Sequence, residues 1–260
     1  MSATVLKLRR AALRGLVAVA WAAPALAQAP PETGALRFDA RLVPAGAVLG
    51  ATAAGALAPV LLAGHLPHGT CPLPSCDPAG LSFLDRGTVG PVRSGAATLS
   101  DGALLATAGG AAILLFGDAH GDLAVAREDL TVFAQAVGTA TLITNWAKVL
   151  VHRPRPFRYT AAAGGGVNTV ESGLSFPSGH TAGAFAAAFA YWSIQSRRGT
   201  ASARRTRIVA LVAAAAATGV LRVVAREHFP TDVMAGAALG AAIGWAVPRL
   251  YPVRSPRPPL

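Results

Sequence analysis

Apolar residues occur along this chain in six long runs, which are separated by short polar or basic segments. The runs are residues 42–62, 99–116, 130–151, 181–194, 208–224 and 233–247. Their alanine-rich stretches are typical of helix. The pattern therefore predicts an all-α protein, a polytopic membrane helix bundle of about six helices. Several runs are shorter than the ~20 residues that span a bilayer comfortably, and Pro44 and Pro59 weaken the first run further.

Composition supports a membrane-embedded chain. Of the 260 residues, 53% are hydrophobic and only 13% are charged, and the mean hydropathy is +0.47. This leaves too little polar surface for an ordinary soluble globule. The net charge of +11 comes from basic clusters at both termini and in loops, aromatic residues are scarce, and no nucleic-acid-binding signature is present. We therefore expect the lipid bilayer, and no nucleic acid, as a partner.

The chain divides into four predicted segments. Residues 1–29 have a basic start, a short apolar stretch and a small-x-small site at Ala25-Leu26-Ala27, as in a signal sequence or an N-terminal anchor. Residues 30–98 hold one weak apolar helix and a loop with Cys71 and Cys76, which are too few for a metal site. A small disulfide between them is preferred over free thiols. Residues 99–250 form the helical core, and 251–260 form a basic tail.

The loops predict an orientation. Five arginines, at positions 197, 198, 204, 205 and 207, lie in one short connection without an acidic residue, which indicates a cytoplasmic loop. The connections on either side, 155–180 and 222–232, then face outward. A cleaved signal followed by six complete crossings would reverse this arrangement. An incomplete crossing by 42–62 is the preferred resolution, and a retained anchor or a cytoplasmic site are the alternatives.

Three polar clusters lie at the edges of the later runs. The first is Lys148-Val-Leu-Val-His-Arg-Pro-Arg155-Pro, and the second is Pro-Ser178-Gly179-His180. Arginine and lysine suit the oxygens of a phosphate. Ser178 is predicted to cap the next helix, and Gly179 lets an anion approach the N–H groups of its first turn. His180 would lie beside that anion and protonate a leaving oxygen.

The third cluster joins Arg222, His228 and Asp232, with five and three residues between them. Arg222 stands in an apolar run, where a charge is costly and indicates function. A carboxylate beside a histidine fixes its tautomer and leaves the other ring nitrogen free to attack. The alternative for each cluster alone is structural: a snorkelling lysine, a capped helix start, or a polar hairpin. Their occurrence on one membrane face favours a common phosphate site.

The pattern Lys-x6-Arg-Pro, Pro-Ser-Gly-His, Arg-x5-His-x3-Asp resembles the type 2 phosphatidic acid phosphatase superfamily, over about residues 99–247. That superfamily includes class A bacterial acid phosphatases and vanadium haloperoxidases. The resemblance implies a phosphatase/haloperoxidase-type helical core and a phosphohistidine intermediate, with no metal or cofactor. It implies catalytic roles for His228 (nucleophile), Asp232 (its orienter) and His180 (general acid), and phosphate binding by Lys148, Arg155, Ser178, Gly179 and Arg222. The family usually has serine where this chain has Leu221.

The sequence thus predicts a phosphatase of a bacterial inner membrane that hydrolyses a lipid phosphate or diphosphate at the outer face. A secreted soluble acid phosphatase of the same superfamily is the first alternative, and a haloperoxidase is another. A non-catalytic membrane protein that binds anionic headgroups would need Arg155 and Arg222 but has no use for both histidines. Phosphatidate, phosphatidylglycerophosphate, undecaprenyl diphosphate and lipid A phosphates all remain open as substrates, as does the oligomeric state.

Overall fold

The computed structural model describes residues 37–40, 42–62, 65, 76–160 and 170–254, and these contain seven α-helices. The helices are α1 (Leu42–Leu62), α2 (Phe83–Arg86), α3 (Ser94–Asp118), α4 (Leu123–Val151), α5 (Gly179–Arg197), α6 (Arg205–Val224) and α7 (Pro230–Ala246). Short 3-10 turns lie at Pro78–Gly80, Pro156–Tyr159, Val170–Gly173 and Val247–Leu250. Two strands, β1 (Arg37–Phe38) and β2 (Val253–Arg254), pair antiparallel.

Each predicted apolar run corresponds to one helix, and the all-helical prediction is confirmed. Apart from α1, the observed helices begin two to seven residues before the runs, because polar residues lie within their first two turns. At the start of α4, for example, the Asp122 carboxylate accepts the N–H groups of Ala124 at 2.9 Å and Val125 at 3.1 Å, which is an N-cap. Helix α2 is not predicted by the apolar pattern, because a single turn produces no periodic signal.

Among the described residues, three helices are long and apolar enough to cross a membrane. They are Ser94–Asp118, Arg205–Val224 and Pro230–Leu250, the last being α7 with its 3-10 extension. The predicted signal at 1–29, Cys71 and the end of the basic tail at 255–260 lie outside the described residues. Cys76, the other half of the predicted disulfide, is buried.

Helix α5 runs through the centre of the bundle and packs against α3, α4, α6 and α7. Six of its alanines are almost completely buried: Ala182, Ala184, Ala186, Ala187, Ala188 and Ala190. A helix that is apolar on every side belongs in the interior. Alanine on every side also lets the surrounding helices come close.

Glycines bring α7 against α5. A Cβ atom placed on Gly240 would lie 2.1 Å from the carbonyl oxygen of Ala182, and one on Gly236 would lie 2.5 Å from that of Ser178. Residues four apart share one face of a helix, so this glycine face permits near backbone contact. The contact places the first turn of α7 beside the first turn of α5, where the Ser178 N–H donates to the Asp232 carbonyl at 3.0 Å.

The predicted basic loop lies at the end of the bundle where α3 ends and α4 begins. Arg198 donates to Asp129 at 2.7 Å, and Arg207 donates to Asp118 at 2.7 Å. Arg204 also pairs with Asp118, at 3.1 Å. The connection has no acidic residue of its own, but folding places two carboxylates against it.

Candidate active site

Five helix ends meet at the opposite end of the bundle: the starts of α3, α5 and α7, and the ends of α4 and α6. All eight predicted site residues lie there: Lys148, Arg155, Ser178, Gly179, His180, Arg222, His228 and Asp232. Helix α4 ends between Lys148 and Arg155 because His152 adopts the left-handed conformation, with φ of 51°, and Pro154 follows. The three sequence clusters therefore form one site.

His228 is almost fully buried in the turn between α6 and α7. Its Nδ1 lies 2.7 Å from the carbonyl oxygen of Ser175 and 3.7 Å from Oδ2 of Asp232. Because a carbonyl only accepts hydrogen bonds, Nδ1 is assigned the proton and Nε2 keeps its lone pair. Asp232, the predicted orienter of His228, therefore lies beyond direct hydrogen-bond distance from Nδ1.

Asp232 acts on His228 through Ser175. Its Oδ2 accepts the Ser175 hydroxyl at 2.5 Å and the Phe229 N–H at 2.9 Å. The second bond caps the start of α7, where the helix dipole also favours a carboxylate. Ser175 was missed by the sequence analysis, because its main contact with the histidine is a backbone carbonyl that any residue possesses.

Burial lowers the pKa of His228 to about 3. The Asp232 carboxylate opposes this change, and the cations Arg155, Lys148 and Arg222 add to it. The imidazole is therefore neutral at physiological pH, which is the state that a nucleophile requires.

Two arginines share one counterion in this site. Glu227 accepts a hydrogen bond from Nη1 of Arg155 and lies 3.5 Å from Nη2 of Arg222. Arg155 also donates to Glu171 at 2.8 Å. Arg222 donates to Ser100 at 3.2 Å, and its Nε is buried without a partner among the described residues. Sequence reasoning missed Glu227, although it stands next to His228.

The remaining predicted residues lie in or beside the first turn of α5. The Lys148 ammonium lies 3.5 Å from where a Cβ of Gly179 would be, so it stands over that turn. Ser178 is the N-cap residue, as predicted, but its side chain does not cap the helix and instead accepts from Thr181 at 3.0 Å. His180 Nε2 lies 2.9 Å from Oδ1 of Asp101.

Arg153 lies at the centre of a second polar network beside Asp232. Its guanidinium donates to Asp232 at 2.5 Å, to Asp85 at 2.9 Å and to Thr231 at 2.7 Å. Arg153 was present in the first sequence cluster but had no predicted role. Asp85, in α2, could not be linked to it from the sequence because 68 residues separate the two.

The arrangement suits the binding and transfer of an anionic group. It combines a neutral buried imidazole, a second histidine paired with a carboxylate, and a cluster of cations at a helix start. Among the described residues, no group of three histidine, cysteine, aspartate or glutamate side chains could hold a metal ion.

Comparison with known proteins agrees with this geometry. A family model described as the PAP2 superfamily matches residues 129–256, a segment that contains all eight predicted site residues. No curated protein and no solved structure matched the chain. Membership supports a phosphatase-type function in general terms. The family match, which the helical fold supports, shows that residues 129–256 of this chain belong to the PAP2 superfamily.

Proposed function

We propose that this protein is a membrane phosphatase that hydrolyses a lipid phosphate or diphosphate through a phosphohistidine at His228. The observation that carries the proposal is the state of His228. The Ser175 carbonyl holds its Nδ1 at 2.7 Å, and burial lowers its pKa to about 3. Nε2 is therefore a neutral nucleophile, placed among the cations that would hold a phosphate.

In the first step, Nε2 of His228 attacks phosphorus, and the bond from phosphorus to the leaving oxygen breaks. That oxygen belongs to the lipid in a monophosphate and to the remaining phosphate in a diphosphate. His180 gives that oxygen its proton. Burial lowers the pKa of His180 to about 4 in the free protein, and Asp101, 2.9 Å away, together with the negative charge of the bound phosphate favours the protonated form that donates it. Arg155, Arg222 and Lys148 neutralise the charge on the equatorial oxygens. The positive charge that develops on His228 is stabilised by the nearby Asp232 carboxylate.

In the second step, water attacks phosphorus and the phosphorus–nitrogen bond breaks. His180, now neutral, accepts the proton of the water, and inorganic phosphate leaves. The enzyme returns to its starting state with His228 neutral. Every charge required is supplied by side chains, so we propose a metal-independent reaction without a cofactor.

A lipid substrate is supported by apolar side chains around the site. Leu150 and Val151, at the end of α4 next to Lys148, are exposed, as are Phe83 in α2 and Val224 at the end of α6. Three helices can cross a membrane. A headgroup phosphate could then reach the cations while its tails remain in lipid. Bacterial inner membrane, with the site facing outward, is the location that we propose.

The test is phosphate release by purified protein in detergent. Phosphatidate, phosphatidylglycerophosphate, undecaprenyl diphosphate and lipid A are compared with the soluble ester p-nitrophenyl phosphate. We expect the wild type to release inorganic phosphate from at least one lipid and to retain acid-labile phosphate as the trapped intermediate. His228→Ala should show neither. His120→Asn, at the far end of the bundle, serves as the matched histidine control and should retain activity.

Other outcomes identify the alternatives. Preference for p-nitrophenyl phosphate without dependence on detergent would indicate a soluble-type acid phosphatase. Halide oxidation by the vanadate-loaded protein would indicate a haloperoxidase. Lipid binding without phosphate release would leave a non-catalytic headgroup-binding protein. Turnover by His228→Ala near the wild-type rate would refute the proposed mechanism.

A further inference from the structure

A buried ion pair lies directly behind the segment that carries His228. Nη2 of Arg153 donates to Oδ2 of Asp85 at 2.9 Å, and the Asp85 side chain is only 1% exposed. Asp85 belongs to α2, which precedes the segment matched by the family model at 129–256. The pair therefore joins the N-terminal part of the chain to the site.

Arg153 contacts three of the four residues that follow His228. Its guanidinium carbon lies 4.3 Å from the centre of the Phe229 ring, within the range of a cation–π contact. The same guanidinium donates to Thr231 and to Asp232. In addition, the Arg153 carbonyl accepts the Ser175 N–H at 2.8 Å, and Ser175 holds the other side of the histidine.

Asp85 also bonds to this segment directly. It accepts the Thr231 hydroxyl at 2.8 Å and the Thr231 N–H at 3.2 Å, and Ser82 donates to it at 2.8 Å. Burial opposes the charged form, but the hydrogen bonds from Arg153, Ser82 and Thr231 outweigh it and lower the pKa of Asp85. Asp85 therefore remains a carboxylate.

His228 depends on this support, because its bond to the Ser175 carbonyl fixes only one point of the ring. Rotation about that bond would move Nε2 relative to the bound phosphate. The positions of Phe229, Thr231 and Asp232 determine the backbone from which the ring projects. A misplacement of about 1 Å can cost about 100-fold in rate.

We propose that Asp85 and Arg153 are positioning residues, which hold the 229–232 segment so that Nε2 of His228 stays aligned for attack. The inference rests on the proposed phosphatase function and adds two residues to its machinery. Neither residue touches the substrate. Their loss should therefore slow phosphoryl transfer and leave substrate affinity nearly unchanged.

The experiment compares wild type with Asp85→Asn, Arg153→Gln and the double variant. The substrate is the lipid of the release panel with the highest turnover, with phosphatidate as the first probe. Phosphoenzyme formation is followed in a single turnover, normalised to folded protein. We expect each single variant to lower the rate and kcat about 10- to 100-fold, with KM changed less than about threefold. Because the two residues act together, the double variant should be little worse than the poorer single variant.

A matched control separates positioning from general stabilisation. Asp129 is another buried aspartate with an arginine partner, Arg198 at 2.7 Å, but it lies at the far end of the bundle. Asp129→Asn should lower stability by a similar amount while kcat of the folded protein stays near the wild-type value. Arg153→Lys should recover part of the lost rate, since it restores the charge but not the forked geometry.

Three results would overturn the inference. Wild-type kcat in folded Asp85→Asn would show that α2 has no part in alignment. An equal loss of kcat in Asp129→Asn would show that the loss comes from general destabilisation and not from alignment. A rise in KM at constant kcat would make the pair a binding element instead. If the wild type forms no phosphoenzyme, the proposed function fails and this inference fails with it. Activity that is lost in His228→Ala but intact in Asp85→Asn refutes this inference alone.

Discussion

Glu227 occupies the place where a substrate phosphate would bind Arg155 and Arg222. Removal of the Glu227 charge should therefore tighten anion binding. Its carboxylate bonds to Arg155 and lies 3.5 Å from Arg222. The side chains of Arg155 and Arg222 are only 11% and 6% exposed, so water screens them weakly. A phosphate that binds both arginines must displace Glu227 or share them with it. Glu227→Gln keeps the shape of the side chain and removes its charge.

The magnitude follows from Coulomb's law. A carboxylate about 6 Å from a phosphate charge repels it by about 3 kcal/mol at an effective dielectric constant of about 20. The Glu227 side chain is 16% exposed, so solvent reduces this value, and we expect about 1–2 kcal/mol. The inhibition constants of phosphate and vanadate should therefore fall about 5- to 30-fold. The ratio of the wild-type inhibition constant to that of Glu227→Gln should shrink as salt is added.

Glu171→Gln is the matched control for this measurement. Glu171 also bonds to Arg155, at 2.8 Å, but its side chain is 64% exposed. Solvent screening limits such a pair to a small effect, so we expect less than about a threefold change. Unchanged or weaker inhibition of Glu227→Gln would refute the reasoning. It would mean that Glu227 holds the arginines in place rather than competing with the anion.

Three further predictions concern packing, chemistry and topology. Gly240→Ala should destabilise the protein by about 3 kcal/mol, because its Cβ would lie 2.1 Å from a backbone oxygen of α5. Gly109→Ala, which meets nothing within 4 Å, should leave the thermal unfolding temperature in detergent unchanged or slightly higher. Activity should survive chelators and be inhibited by vanadate, which resembles the phosphoryl transition state; loss in EDTA with recovery in added Mg²⁺ would contradict this. In a cysteine-free background, an impermeant thiol reagent should label whole cells at Ala79→Cys but not at Ser202→Cys, and the reverse would place the site in the cytoplasm.

The basic loop that predicts the topology forms ion pairs in the folded protein. The loop at 197–207 indicates a cytoplasmic position because it contains five arginines and no acidic residue. In the folded protein, Asp118 and Asp129 neutralise several of its arginines. The positive-inside rule counts lysines and arginines rather than net charge, so these ion pairs leave the predicted orientation unchanged. The labelling experiment decides between the two orientations independently of charge.

The sequence by itself determined the six long helices and the end of the bundle at which the eight predicted site residues meet. Apolar runs of sufficient length have few alternatives to helix in a bundle, since their backbone groups must be satisfied within each segment. The three motif clusters could be assigned to one end because consecutive helices run in opposite directions. The ends of α4 and α6 and the starts of α5 and α7 then meet, and these elements carry Lys148, Ser178, Arg222 and Asp232.

Only the tertiary structure decided how the site residues are paired. The partner of His228 Nδ1 is a backbone carbonyl at position 175, which has no signature in side-chain chemistry. Asp85 reaches Arg153 and Thr231 from a four-residue helix that is too short for a periodic pattern. Glu227 becomes the shared counterion of two arginines because a buried cation must find an anion nearby. Hydrogen bonds and ion pairs between distant segments follow from packing, and the order of residues along the chain does not encode them locally.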